Sequence, residues 1–188
     1  MNSIRKIMAA AIWFLLSAWA AAAPAQIIFL RHAEKPKQGP ELNARGWERA
    51  RALVGLFAND PRVHEHGAPV AIYAAYPPKP GGSIRSIQTM EATGKALHLA
   101  VNTSVTRDDL DGLVNAILHT PAYDGKTVVV CWEHKKIPLM LRDFGWTTGP
   151  KRWDDDVFDR LWILDFEHDH PVRFRDLPQH LLSGDPAS

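Results

Sequence analysis

Two histidines in this chain each stand directly behind an apolar run. His32 follows Gln26-Ile27-Ile28-Phe29-Leu30-Arg31, and His134 follows Thr127-Val128-Val129-Val130-Cys131-Trp132-Glu133. An imidazole can act as nucleophile, base or metal ligand. The guanidinium of Arg31, adjacent to His32, presents a fork that matches a phosphate or carboxylate. A second arginine, Arg85, follows the turn-rich stretch Tyr76-Pro77-Pro78-Lys79-Pro80-Gly81-Gly82. With Ser83 as N-cap, Arg85 falls in the first turn of a helix, beside backbone N–H groups that have no intrahelical acceptor. Two fixed cations, two imidazoles and a helix start describe a pocket for a doubly charged phosphoryl group.

The elements that must position these side chains alternate. Residues 26–31 read as a fully buried strand, and residues 126–132, β-branched and apolar on both faces, as the central one. Between them come a helix over 42–57 capped by Asn43, a strand over 69–75, a helix from Ile84 to about Leu99, a short strand near 100–105 and a helix over about 107–119. After His134 come a helix over 135–144, a loop over 145–152 and a hairpin of residues 158–166 with 172–174. This order predicts an α/β three-layer sandwich: a mostly parallel central sheet, helices on both faces and a C-terminal antiparallel hairpin. In such a sheet ligands sit outside the carboxyl ends of the strands, which places Arg31, His32, Arg85 and His134 on one edge.

The first residues differ in kind. Arg5 and Lys6, an apolar run from Ile7 to Trp19, and Ala20-Ala21-Ala22-Ala23-Pro24-Ala25 form the three parts of a secretory signal peptide. Residues 1–23 are therefore expected to be a cleaved signal, with a domain over 26–188 exported to a periplasm or secreted and no stable membrane association after cleavage. Cleavage would lower 22 basic residues to 20 against 21 acidic ones, moving the formal charge from +1 to −1. That balance carries no electrostatic footprint for nucleic acid. The single cysteine, Cys131, excludes an intrachain disulfide.

On these motifs the chain resembles the histidine phosphatase superfamily, of phosphoglycerate-mutase-like fold. Arg31-His32-Ala33-Glu34 stands where that family has Arg-His-Gly. Leu42, Gly46, Arg49 and Ala50 match its Leu-x-x-x-Gly-x-x-Arg-Ala stretch. Arg85-Ser86-Ile87-Gln88-Thr89 resembles Arg-Ala-x-Gln-Thr, and residues 128–134 match the strand that presents the second histidine. The resemblance implies hydrolysis of a small or macromolecular phosphomonoester through a phosphohistidine on His32, with Arg31, Arg85 and His134 on the phosphoryl oxygens and no metal or cofactor. Asp108 is the first choice for the general acid, with Asp109, Glu133 and Glu34 as the others, and strand alternation would turn Glu133 away from His134. Ala33 in place of glycine, the Pro-Gly lead-in to Arg85 and the absence of an acid directly after His134 depart from the pattern. The competing expectation is a non-catalytic phosphate-binding or interaction protein on the same fold.

Lys35 flanks His32 and is a candidate for substrate binding. Cys131 is no phosphatase nucleophile of the cysteine type, since position 137 is isoleucine where an arginine would be required. His64-Glu65-His66 and His168-Asp169-His170 read as surface histidines rather than metal ligands, and Trp153, Trp162 and Phe158 as packing residues.

Overall fold

Ile27, Phe29, Val128, Val130 and Trp132 pack into one hydrophobic cluster, while Ile28, Leu30, Val129 and Cys131 pack into another. That alternation is the period-two signature of strands buried on both faces. In the computed structural model, which describes residues 23–186, these residues form β1 (Gln26–Arg31) and β4 (Thr127–Trp132), parallel neighbours in the middle of a six-stranded sheet. Around them run α1 (Ala44–Asn59), β2 (Pro69–Ala74), α2 (Arg85–Ala96), β3 (Val101–Asn102), α3 (Leu110–Leu118), α4 (Ile137–Asp143), β5 (Arg160–Glu167) and β6 (His170–Pro178). The sheet order is β3-β2-β4-β1-β5-β6, parallel from β3 to β1 and antiparallel over β5 and β6.

The helices divide by the direction in which the chain travels. From β1 to β2 to β3 the chain moves outward, and the two intervening helices, α1 and α2, bury Leu53, Leu56, Phe57 and Met90 on one face. From β3 back to the centre it moves the other way, and α3 and α4 bury Leu113, Ile117, Ile137 and Met140 on the opposite face. Crossovers of one hand change face when the direction reverses, so three layers follow from strand order. The mostly parallel sheet, the helices on both faces and the antiparallel hairpin are as the sequence predicts. Boundaries differ: the strand expected over 100–105 shrinks to two residues, and α3 begins at Leu110 because Asp109 caps it, accepting from Gly112 N at 2.9 Å. The expected signal peptide lies outside the described residues except for Ala23. No helix among the described residues is long and apolar enough to cross a membrane.

Helix α1 is seated against the segment that carries His32. Asn43 caps it, accepting from Gly46 N at 2.8 Å, while Asn43 N donates to Glu34 O at 3.1 Å. A Cβ on Gly46 would lie 2.2 Å from Glu34 O, so only glycine allows this approach. One turn on, Arg49 is 2% exposed and bonds Glu34 at 2.8 Å and Asp185 at 2.7 Å. Asp185 also accepts from Leu181 N and Leu182 N, both at 3.0 Å, which fastens the C-terminal segment to α1.

Two outcomes follow from this seat. Gly46→Ala should cost roughly 1–3 kcal/mol in denaturant unfolding, as an overpacked site does. Gly55→Ala, in the same helix with nothing within 4 Å of its Cβ position, should instead stabilise by about 0.5–1 kcal/mol. Burial opposes the charge on Asp185, but the bonds from Arg49 and the two backbone N–H groups outweigh it and pull its pKa down to about 2. A depressed carboxylate stabilises the fold above its unfolded pKa and loses that contribution as the pH falls through the folded one. The stability gap between wild type and Asp185→Asn should therefore be full at pH 6 and close between about pH 4 and pH 2.

Candidate active site

β1 and β4 end together: Arg31 pairs with Trp132, and His32 N extends the ladder to Trp132 O at 3.1 Å. The carboxyl edge of the sheet opens there into a cleft of about 530 Å³. Arg31, His32, Arg85, His134 and Lys35 all line it. Asp108 is not among the lining residues. It is exposed and paired with Arg107 at 3.0 Å and Lys136 at 2.9 Å, and those bonds hold its pKa at about 2. A carboxyl so placed is a poor proton donor, and its position before α3 meets the ordinary preference for an acid at a helix start. Asp109 is occupied as the cap of α3, and Glu34 by Arg49 and Arg45.

His32 is 5% exposed, and its Nδ1–H donates to Ala33 O at 2.8 Å. That bond fixes the tautomer and leaves Nε2 with its lone pair. Desolvation, opposed by the Ala33 bond and reinforced by Arg31, Arg85 and His134, lowers the pKa of His32 to about 3. The imidazole is therefore neutral, as a nucleophile must be.

Arg31 is 1% exposed yet bonds no carboxylate among the described residues. One guanidinium nitrogen donates to three backbone oxygens, of Asp154 (3.4 Å), Asp155 (2.5 Å) and Val157 (3.1 Å). The guanidinium carbon lies 3.8 Å from the ring centroid of Phe158, a cation–π contact. Its Nε is buried without a partner, and burial, only partly offset by nearby acids, lowers its pKa to about 10. Arg85 is held similarly, donating to Glu41 O at 3.1 Å and to Gly39 O, and desolvation lowers its pKa as well. It is the first residue of α2. The N-cap is Ile84, which makes no side-chain bond, so Ser83 does not cap the helix and instead lines the cleft.

His134 is 7% exposed and donates from Nε2 to Asp155 Oδ1 at 2.8 Å, while its Nδ1 is buried and unpartnered. Burial and Arg31 lower its pKa, with Asp155 opposing. Glu133 also lines the cleft, against the expectation that alternation would turn it away. β4 ends at Trp132, so the next residue is free of the strand's two-fold repeat. Arg107 approaches its carboxylate at 3.5 Å.

Asp155, Asp156 and Phe158 are the site residues that sequence reasoning missed. β5 runs antiparallel to β1 with Leu30 opposite Leu161, so the loop entering β5 meets the edge where the parallel strands end. Three consecutive acids before a strand were the available signal. Trp153 does pack in the core, 4.5 Å from Trp162 between ring centroids, whereas Phe158 belongs to the cleft. Away from the cleft, Glu65, His66 and Asp165 approach one another, but Arg173 and Arg175 already bond both carboxylates.

No family model and no curated protein matches the sequence. Among solved structures, the chain superposes on a protein histidine phosphatase SixA complexed with tungstate, at a TM-score of 0.57 and 16% identity over 82% of this chain and 97% of that one. It superposes on the SixA protein of Agrobacterium tumefaciens at 0.52 and 16% identity, over 81% and 98% of the two chains. A phosphoserine phosphatase from Entamoeba histolytica, in complex with 3-phosphoglyceric acid, gives 0.50 and 17%, over 84% and 99%. The chain has the fold of the histidine phosphatases.

In phosphate-free protein the ring signals of His32 should not titrate between pH 5 and 8 in NMR, and should shift only as the pH approaches about 3. A midpoint near the ordinary value of about 6.5 would contradict a desolvated, neutral imidazole.

Proposed function

We propose that this protein is a phosphohydrolase that cleaves phosphomonoesters through a phosphohistidine on His32. The observation that carries this reading is the Nδ1–H bond of His32 to Ala33 O, which commits Nε2 of a neutral, buried ring to attack inside a cleft lined by Arg31, Arg85 and His134. The Nε2 lone pair attacks phosphorus as the bond to the leaving oxygen breaks, and the two guanidinium groups and the His134 N–H stabilise the equatorial oxygens. Glu133, half-buried in the cleft beside His134, gives its proton to the leaving oxygen. In the second half, water attacks the phosphohistidine with Glu133 taking its proton. The P–N bond breaks, the electron pair returns to Nε2 and inorganic phosphate departs. The tungstate in the SixA complex occupies a protein of this fold, which agrees with an oxyanion ligand here. Among the described residues, no carboxylate pairs with Lys35, Lys37 or Lys135 on the lip, and they would draw an anionic substrate inward. Export to a periplasm or the exterior is part of the proposal and rests on residues 5–25 of the sequence.

Hydrolysis of an aryl phosphate without added metal should be abolished in His32→Ala. Glu133→Gln should retain most aryl phosphate turnover, because that leaving group needs little protonation, and lose about 10²–10⁴-fold on an alkyl phosphate. Wild-type protein that binds vanadate but turns over neither ester would instead establish a phosphate-binding protein.

A further inference from the structure

One interaction in the cleft has no place in the transfer just described. The Nε2–H of His134 is already bonded to a carboxylate, Asp155 Oδ1, at 2.8 Å. The backbone oxygen of the same residue accepts from Arg31 at 2.5 Å. Asp155 therefore meets two of the three groups assigned to the phosphoryl oxygens. Its side chain is otherwise loosely held: it is 75% exposed on the loop entering β5, and its only side-chain bond among the described residues is to His134. Lys135 and Arg31 add electrostatic attraction, and Asp156 on the same loop faces the same cleft. The His134 partner, by contrast, is buried, with the other ring nitrogen unpartnered among the described residues.

Resting on the phosphoryl-site reading above, we propose that Asp155 is a resident anion, a specificity-determining residue that occupies the hydrogen-bond donor of His134 until a phosphomonoester displaces it. A single N–H cannot serve Asp155 and a phosphoryl oxygen at full strength. Binding a substrate must therefore break the His134–Asp155 bond and move one carboxylate away from the incoming dianion. A phosphoryl group can offset that cost because its three oxygens also reach Arg31 and Arg85, whereas Asp155 offers one carboxylate to one donor. A lone carboxylate ligand gains too little to compete. The result is a cationic cleft that stays closed to weak anions without a lid. The displaced loop keeps its hold on Arg31 through backbone oxygens, which no side-chain substitution removes.

The test is equilibrium binding of inorganic phosphate and of vanadate at pH 7, followed by calorimetry on wild type, Asp155→Ala, Asp155→Asn, His134→Ala and the double variant His134→Ala/Asp155→Ala. Releasing a charge-assisted competitor of this kind should tighten binding by about tenfold in Asp155→Ala, with a smaller gain in Asp155→Asn, whose amide oxygen still accepts from His134. In the His134→Ala background the same substitution should gain far less. Unchanged or weaker binding in Asp155→Ala would overturn the proposal and make Asp155 a positioning residue that orients His134. A gain that persists in full without His134 would also overturn it, since Asp155 would then act only through bulk charge. If neither wild type nor any variant binds either oxyanion, the phosphoryl-site reading itself fails, an outcome distinct from wild-type binding that Asp155→Ala leaves unimproved.

Discussion

The parallel pairing of β1 with β4 is the constraint on which the rest of the site depends. Both strands are close-packed on both faces, so a one-residue slip would exchange the side chains that fill two differently shaped cores. Their register, Gln26 with Thr127 through Arg31 with Trp132, therefore brings both chains out of the sheet at the same level. The polar residues that follow, His32 on one and Glu133 and His134 on the other, have no choice but to share the space above that edge. Arg85 is brought in from β2 by the loop that starts α2, and its guanidinium is then pinned to backbone oxygens of residues 39 and 41. The geometry of the cleft is a consequence of the packing of the strands beneath it.

How much of this could be read beforehand divides along physical lines. The strands were legible because residues 27–30 and 128–132 leave no room for a solvated face, and the helix over 42–57 because Asn43 caps an apolar stripe. The cluster of Arg31, His32, Arg85 and His134 followed from strand direction alone. What failed depended on a single residue of phase or on distant chain. Glu133 was turned the wrong way because the strand stops one residue before it. Asp108 was favoured because an acid at a helix start looks the same whether it serves the backbone or a substrate, and its pairing with Arg107 and Lys136 carries no periodic signal. Asp155 lies more than a hundred residues beyond Arg31 in a loop without regular structure. Its arrival at the cleft required knowing that β5 runs antiparallel beside β1.

The loop before β5 gives the site its electrical character. Its backbone oxygens solvate Arg31 in place of water, and oxygens are dipoles rather than opposing charges, so the cation is held without being neutralised. The same loop contributes Asp155 and Phe158, one to His134 and one to the face of the Arg31 guanidinium. A single irregular segment thus touches both the strand-end arginine and the second histidine.

Arg31 and Arg49 make the division between structure and function explicit. They are almost equally buried, at 1% and 2% exposure. Arg49 lies between Glu34 and Asp185, and although burial opposes its charge, those bonds outweigh it and raise the pKa above that of a free guanidinium. All three nitrogens of the Arg49 guanidinium have partners in Glu34, Gln179 and Asp185, and the cluster joins α1, the segment after His32 and the C-terminal residues into one unit. Among the described residues Arg31 has no carboxylate in hydrogen-bonding contact and keeps a buried N–H without a partner, and its pKa is lowered to about 10. Burying a cation this way costs stability unless an anion completes it. A fold that satisfies one buried arginine fully and leaves the other short is holding the second in readiness. That deficit at Arg31, beside an Arg85 held only by backbone oxygens, is the physical ground of the proposed phosphoryl ligand between the two strand ends.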